Sequence, residues 1–455
     1  MKIKLFLILT IMSVLSLNLS AQIEQQKGKN PIIIIPGILG SKLVNKKTKE
    51  VAWVKFSEAK PDSLKLPISA NLAANRDNLE ATDIVEKVKF IKFLSVVSVY
   101  KDLLEYLEKK VGYSRGNWKL PQADGDHDTY YVFAYDWRLD NVENARLLIE
   151  NIEKLKAKLK KPDLKFDVLT HSMGGLIARY AAMYGKTNLT NKPAPNWSGA
   201  KHFDKIFLLG TPNEGAMSAL EALNEGYVIS SIAGKIQPKF LNREVTFTIP
   251  ALFELLPHGI SSRFYDENLK PLLLDIYDVK TWRKYGWTIA SDEEFLKKLS
   301  KVKRVQFEKY LEAVLLRTKS FHQALDVKTK VPVALTFYLF GSDCESTLDG
   351  AILYFDAEKD RWKTLMRGDS FKTSSGVKVP EDLVKQTIFG KGDGDVTKSS
   401  LFAENISQNN GQSLFSVEAG SMNQTIVCEN HTKIPINKTV EEALTAILTS
   451  KILKQ

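Results

Sequence analysis

The sequence predicts an α/β fold: a mostly parallel sheet with helices on both faces and a large inserted cap or lid. Three observations predict it. Apolar, β-branched runs alternate with stretches of helical periodicity. The first run, Pro31 to Ile35, is continuous rather than alternating with polar residues, the pattern of a strand buried on both faces. The rhythm then breaks over about 216–330, where helical stretches, prolines and aromatics intervene before strand-like sequence resumes.

Pro31 to Ile35 reads as a buried strand ending in the turn pair Pro36-Gly37. Residues of about 44–95 show no clear repeat and carry Pro61 and Pro67, an excursion from the core. Leu103, Leu104, Leu107 and Val111 lie at helical spacing in a segment running from Tyr100 to Gly112, where glycine suits a helix end. Tyr130 to Tyr135 is a second strand. Residues 142–160 follow as a helix with Ala145, Leu148, Ile152, Leu155 and Leu159 on one face. The third and fourth strands are Phe166 to Leu169 and Phe203 to Leu209, separated by a helix over Leu176 to Tyr184. Beyond the cap, Val331 to Phe340 resumes a strand, and Leu353–Phe355, Ser413–Val417 and Thr425–Val427 are short extended pieces. Thr439 to Leu453 closes the chain as a helix.

The 455 residues exceed the usual domain of about 150, but enzymes of this class run long as one domain with insertions. With 44% hydrophobic and 26% charged residues, whole-chain disorder is excluded. Two cysteines exclude a disulfide-scaffolded mini-protein and a four-cysteine zinc site. The net charge of +11 suits anionic partners without choosing among them. No helix-turn-helix, zinc-finger or RNA-binding aromatic signature points to nucleic acid. Lys2 and Lys4, the apolar run from Leu5 to about Leu17 and the small residues before Gln22 read as a signal peptide over 1–21, with the α/β domain over 22–455. The expected location is periplasmic, secreted or peripheral to a membrane. In an oxidising compartment Cys344 and Cys428 can pair or stay free, and spacing does not decide.

The chemistry gathers at three places. In Phe166-Asp167-Val168-Leu169-Thr170-His171-Ser172-Met173-Gly174-Gly175 an apolar strand runs into a serine, two glycines and a helix. That context makes a nucleophile elbow, which lifts the hydroxyl above the sheet edge at a helix N-terminus. Thr170 stands where the usual pattern has glycine. In Gly390-Lys391-Gly392-Asp393-Gly394-Asp395-Val396 a glycine-flanked aspartate on a late loop suits the acid that orients a histidine; by itself Asp-Gly is also a common surface turn. Of six histidines only His431 follows Asp393. Ser172, Asp393 and His431 thus keep the order nucleophile, acid, base. His171, beside the serine, is read as structural and pointing away from it. The oxyanion donors are expected to be the backbone N–H of Met173 and that of Ile38 or Leu39, in the loop after the first strand.

The pieces "IIIIPGILGSKL", "YVFAYDWRLD", "LTHSMGGLIARY", "LLGTPNEGA", "GDGDV" and "NHTKI" occur in this order. Together they resemble the lecithin:cholesterol acyltransferase family, with its lysosomal phospholipase and phospholipid:diacylglycerol acyltransferase relatives. The resemblance runs from about Asn30 to the C-terminal helix; "PALFELLP" and "DVKTWRKYGW" in the cap share it. It implies an α/β-hydrolase fold with a mobile lid and a membrane-contacting cap. It also implies Ser172 as nucleophile, Asp393 as acid and His431 as base, acting on an ester-linked acyl group of a glycerolipid with no metal or organic cofactor; it implies a lipid ester, able to lie at a membrane surface, as the partner and names no protein one. Asp395 replaces the family's usual threonine, so a second carboxylate lies beside the acid. The N-terminal disulfide loop of animal members has no counterpart, since no cysteine precedes Cys344. Asp136, Trp137 and Arg138 match the family's "DWR" and are assigned a structural role.

A carboxylesterase or lipase on other esters, and a catalytically silent lipid-binding relative, are the alternatives. A basic helix from Glu293 to about Leu316, with Phe295, Leu299 and Val302 on one face, is either a membrane-resting or an ordinary surface helix. The lysines of 154–161 read as a solvated helix end. Asp124, Asp126 and Asp128 resemble the start of a calcium loop, but Thr129 and Tyr135 stand where it needs glycine and glutamate.

Overall fold

A computed structural model describes residues 28–54, 62–88, 97–98, 100–227, 229–231, 234–236, 241–259, 263–408 and 423–450, with backbone alone for 97–98, 229–231, 234–236, 407–408 and 423. The segment read as a signal peptide and the extended piece Ser413–Val417 lie outside the described residues.

Seven strands form the central sheet: β1 (Ile32–Ile35), β2 (Ser114–Arg115), β3 (Thr129–Val132), β4 (Phe166–His171), β5 (Phe203–Leu209), β6 (Thr336–Ser342) and β7 (Asn423–Val427), in the order β7-β6-β5-β4-β1-β3-β2. Every neighbouring pair is parallel. β4 lies between β1 and β5, with Ile35 opposite Thr170 and Leu209 opposite His171. The continuous apolar runs follow from this placement, because each face of the sheet is covered. Ile33, Ile35, Tyr131, Val168, Ile206 and Leu208 point into one core with helices α2 (Asn141–Leu159) and α3 (Gly174–Tyr184). Ile32, Ile34, Tyr130, Leu169, Phe207 and Leu209 point into the other, with α1 (Lys101–Tyr106, continued by a π turn to Val111) and α6 (Lys438–Thr449). Between β5 and β6 lie α4 (Met217–Glu225), α5 (Lys301–Leu325) and several shorter helices, whose apolar faces join the first core.

Several local expectations change. The basic helix of 293–316 is two helices: Glu293–Lys297 ends at Lys298, and Ser300 caps α5 by accepting from the Lys303 N–H. Phe295 and Leu299 are half-buried, whereas Val302 is 79% exposed, so the three do not share a face. The strand expected from Val331 starts at Thr336, because Pro332 opens a turn closed by the Leu335 N–H. Leu353 belongs to Ala351–Asp356, which pairs outside the main sheet. In the excursion, Ser41–Asn45, Val51–Trp53 and Leu79–Ile84 form an antiparallel sheet whose Leu43 and Trp53 enter the core. Lys156 is no solvated lysine: it is 6% exposed and donates to His202 Nδ1 at 3.3 Å, and burial holds its pKa down.

Arg138 is fully buried and donates to both Asp136 and Asp77, while the Trp137 indole donates to the Ser41 carbonyl. This segment ties the sheet to the 41–84 excursion. Cys344 and Cys428 form a disulfide with Cα atoms 5.3 Å apart, joining the segments after β6 and β7. Among the described residues no helix is long and apolar enough to cross a membrane, and no three or more His, Cys, Asp or Glu side chains are grouped to hold a metal.

Candidate active site

All parts of the site stand at the carboxyl ends of the strands. Ser172 follows β4 directly and sits at φ +53°, a left-handed conformation that costs a non-glycine residue energy. Its N–H donates to Leu209 C=O at 2.8 Å and its C=O accepts from the Gly175 N–H at 3.0 Å, which hold the turn from both sides. Helix α3 then starts, with Met173 at its N-cap. Thr170 fits in place of glycine because its hydroxyl turns to β5 and donates to Phe207 C=O at 2.7 Å.

Asp393 is placed by a two-stranded antiparallel ladder, Glu345–Leu348 with Phe389–Gly392. It is 2% exposed. Its Oδ1 accepts the N–H groups of Asp395 at 3.0 Å and Val396 at 2.7 Å, and its Oδ2 faces His431 Nδ1 at 2.8 Å. The Asp395 backbone N–H thus helps to anchor the carboxylate that pairs with the imidazole. The His431 N–H also donates to Asp393 C=O at 2.8 Å, so backbone and side chain hold the same partner. On the other side of the ring, His431 Nε2 lies 2.9 Å from Ser172 Oγ. Gly210, at φ +59° after β5, leaves the room: a Cβ there would fall 3.0 Å from the His431 ring and 3.2 Å from Asp393 Oδ2.

Burial opposes charge on His431, but the Asp393 carboxylate against Nδ1, with Asp395 adding to it, lifts the imidazole to about 9. His171 behaves oppositely. Burial, reinforced by His431, holds it down to about 3, so this ring is neutral. The His171 ring centroid lies 4.8 Å from that of His431.

The loop after β1 lies against the serine, since a Cβ on Gly37 would fall 2.8 Å from Ser172 Cβ. The Gly37 N–H is taken by Tyr100 Oη at 2.9 Å, and the Tyr135 hydroxyl donates to Pro36 C=O at 2.8 Å. The N–H groups of Ile38, Leu39 and Met173 take no part in the hydrogen bonds among the described residues. Ser172, His431 and Asp393 are therefore brought into one hydrogen-bonded chain, and the three candidate oxyanion donors lie on segments flanking it. Tyr100, Tyr135 and Gly210 carry no local mark of a site in the sequence. Only the turn Gly210-Thr211-Pro212 signals that the backbone does something special there.

The family model described as Lecithin:cholesterol acyltransferase matches residues 73–341, more than half of the chain. That span holds Ser172 but ends before Asp393 and His431. No curated protein matches the chain. Among solved structures, one titled as the Tle4-Tli4 complex is similar with a TM-score of 0.56 at 15% identity, over 92% of this chain and 98% of that one, a likeness of fold. The mature form of Bacillus licheniformis lipase BlEst2 matches at a TM-score of 0.33 and 11% identity over 93% of each chain. EstA from Clostridium botulinum matches at 0.33 and 11%, over 93% of this chain and 87% of its own. The sheet order, the covering helices and the family match agree: the chain is an α/β-hydrolase-fold member of the lecithin:cholesterol acyltransferase family.

Proposed function

We propose that the protein transfers or hydrolyses the acyl group of a glycerolipid ester through an acyl-serine intermediate on Ser172. The single observation that carries this reading is the chain Ser172 Oγ, His431 Nε2, His431 Nδ1, Asp393 Oδ2, with links of 2.9 and 2.8 Å, at the rim of the sheet. Family membership supports a lipid ester as substrate.

The steps follow from the atoms. His431 Nε2 takes the Ser172 proton as Oγ bonds to the ester carbonyl carbon. The carbonyl oxygen becomes the oxyanion, held by the Met173 N–H and that of Ile38 or Leu39. Asp393 keeps the Nδ1 proton in place and stabilises the imidazolium. Collapse expels the alcohol, which leaves with the proton from His431. Water or a second alcohol, deprotonated by His431, then releases the acyl group. The acceptor depends on what the segment 216–330, read as a cap, admits. Val302 and Val305 stand exposed beside Lys301 and Lys303 at the start of α5, a surface suited to lipid contact. Residues 1–21 are read as the export signal.

A fluorophosphonate probe on the purified protein tests the reading: Ser172 is labelled, and Ser172→Ala loses about a million-fold in acyl release. A variant with near-wild-type release removes Ser172 from the mechanism. Product analysis with phospholipid plus a sterol or diacylglycerol separates the outcomes, free fatty acid alone meaning hydrolysis.

A further inference from the structure

We infer that Tyr100 and His171 form a proton-ordered relay that positions both the oxyanion-side loop and the base for the reaction at Ser172. The inference rests on the acyl-serine reading and adds two positioning residues to it. Four segments meet in it: the loop after β1, the residue before α1, the end of β4 and the loop after β7.

The proton order follows from the partners. The Gly37 N–H donates to Tyr100 Oη at 2.9 Å. The hydroxyl's own proton then has His171 Nδ1, at 2.8 Å, as its acceptor. An imidazole that accepts at Nδ1 and is neutral carries its proton on Nε2. That proton meets His431 C=O at 3.0 Å. The chain therefore runs from Gly37 N–H through Tyr100 and His171 to the backbone of His431, with one donor and one acceptor at each link. The other neutral tautomer would set the Nε2 lone pair against the carbonyl lone pairs and strand the tyrosine proton in a buried site, both costly. A charged His171 is opposed by burial and by the adjacent His431.

The relay has a task that the Ser172–His431–Asp393 chain leaves open. Asp393 and Ser172 fix the imidazole of His431, and the Asp393 carbonyl holds its N–H. The His431 carbonyl is held by His171, one residue before Ser172. At the other end, Tyr100 occupies the Gly37 N–H, so the loop presents the next N–H groups, those of Ile38 and Leu39, to the developing oxyanion. His171 stays neutral throughout, so no second positive charge opposes the imidazolium of His431. Loss of the relay loosens two reacting partners at once while leaving the substrate's remote contacts alone. Its signature is a fall in kcat with KM kept.

The test is Tyr100→Phe, His171→Leu and the double variant, assayed on a p-nitrophenyl acyl ester with fluorophosphonate labelling of Ser172. Tyr100→Phe is expected to lower kcat by about 10- to 100-fold with KM within about twofold. The double variant is expected to lose no more than the worse single one, because one chain is broken in each case. Tyr100→Phe with wild-type kcat, or losses that multiply in the double variant, overturns the relay while Ser172 labelling leaves the hydrolase reading intact. Should the variants fail to fold, histidine-labelled wild-type protein decides by NMR. A neutral Nε2–H tautomer of His171 down to about pH 5 is expected, and an Nδ1–H tautomer overturns the relay. Wild-type protein whose Ser172 resists the probe sinks the acyl-serine reading and the relay's catalytic part with it.

Discussion

Two pairs of histidines pack ring against ring among the described residues, His171 with His431 and His258 with His322, and their contrast separates chemistry from architecture. In each pair one ring is clamped the same way. His171 has Tyr100 on Nδ1 at 2.8 Å and a carbonyl, that of His431, on Nε2 at 3.0 Å. His322, on α5, has Tyr277 on Nδ1 at 2.7 Å and the Glu254 carbonyl on Nε2 at 2.9 Å. Burial and a neighbouring imidazole hold both well below the ordinary histidine range. The second rings differ. His431 has Asp393 on one nitrogen and the Ser172 hydroxyl on the other. His258 stacks on His322 at 3.8 Å, with the Leu256 carbonyl on Nδ1 and Asp326 on Nε2, each at 3.3 Å. A histidine pair with a tyrosine clamp is thus a way to fasten segments together. In the proposed reaction, what sets one pair apart is the buried carboxylate of Asp393 and the left-handed Ser172 added to it.

Removing those additions gives the largest effects. Ser172→Ala, losing about a million-fold, is first. Asp393→Asn comes next, with kcat lower by about 10⁴-fold, because the amide can donate to Nδ1 and so favour the wrong tautomer of His431. The check is kcat together with thermal unfolding, since Asp393 Oδ1 also holds the 395–396 backbone. A loss of less than about tenfold would make Asp393 an anchor of its loop rather than the partner of the base.

How much of this is legible in the sequence depends on the range over which each feature is encoded. β1, β4 and β5 are readable because burial on both faces writes short apolar runs into the chain: all four residues of β1, Val168–Leu169 in β4 and Ile206–Leu209 in β5. The order of Ser172, Asp393 and His431 is readable because this sheet topology constrains it. The break at Lys298–Ser300 is hidden, because helical periodicity continues across a serine that also caps. Lys156 reads as solvated because four other lysines of the same helix end surround it in sequence; only the fold sets His202 against it. Tyr100 and His171 are 71 positions apart and neither has a local signature, so their bond exists only once β1, β4 and α1 are assembled. The disulfide is likewise a matter of a 5.3 Å separation that 84 residues of spacing do not encode.

Acidity sharpens the contrast further. His431 is lifted to about 9 by its carboxylates against the pull of burial. Its imidazolium therefore persists to higher pH than that of a free histidine, and an imidazolium cannot take the serine proton. The kcat/KM profile should rise with pH and level off above about pH 9. Asp395→Asn removes one of the charges that raise His431, so the rising limb should move to lower pH and activity at pH 7 should increase by about two- to tenfold. An unmoved limb would mean that Asp395 acts on the imidazole only through its backbone.

The smallest effect on turnover is expected where the clamp is shared but the chemistry is not. His322→Phe strands the Tyr277 hydroxyl and the Glu254 carbonyl, both in contact with the ring it replaces. Leaving such buried groups unpaired costs about 1–3 kcal/mol each, so the denaturant midpoint should fall clearly. The His322 ring bonds to Tyr277 and Glu254 and not to Ser172, Asp393 or His431, and kcat per folded molecule should stay within about twofold of wild type. Tyr100→Phe breaks the matching bond in the other pair and is expected to do the reverse, cutting kcat by more than its cost in stability would suggest. If His322→Phe cut kcat as deeply as Tyr100→Phe, the two clamps would be equivalent. The special standing of the His171 pair would then have to come from something other than its bonds to Gly37 and His431.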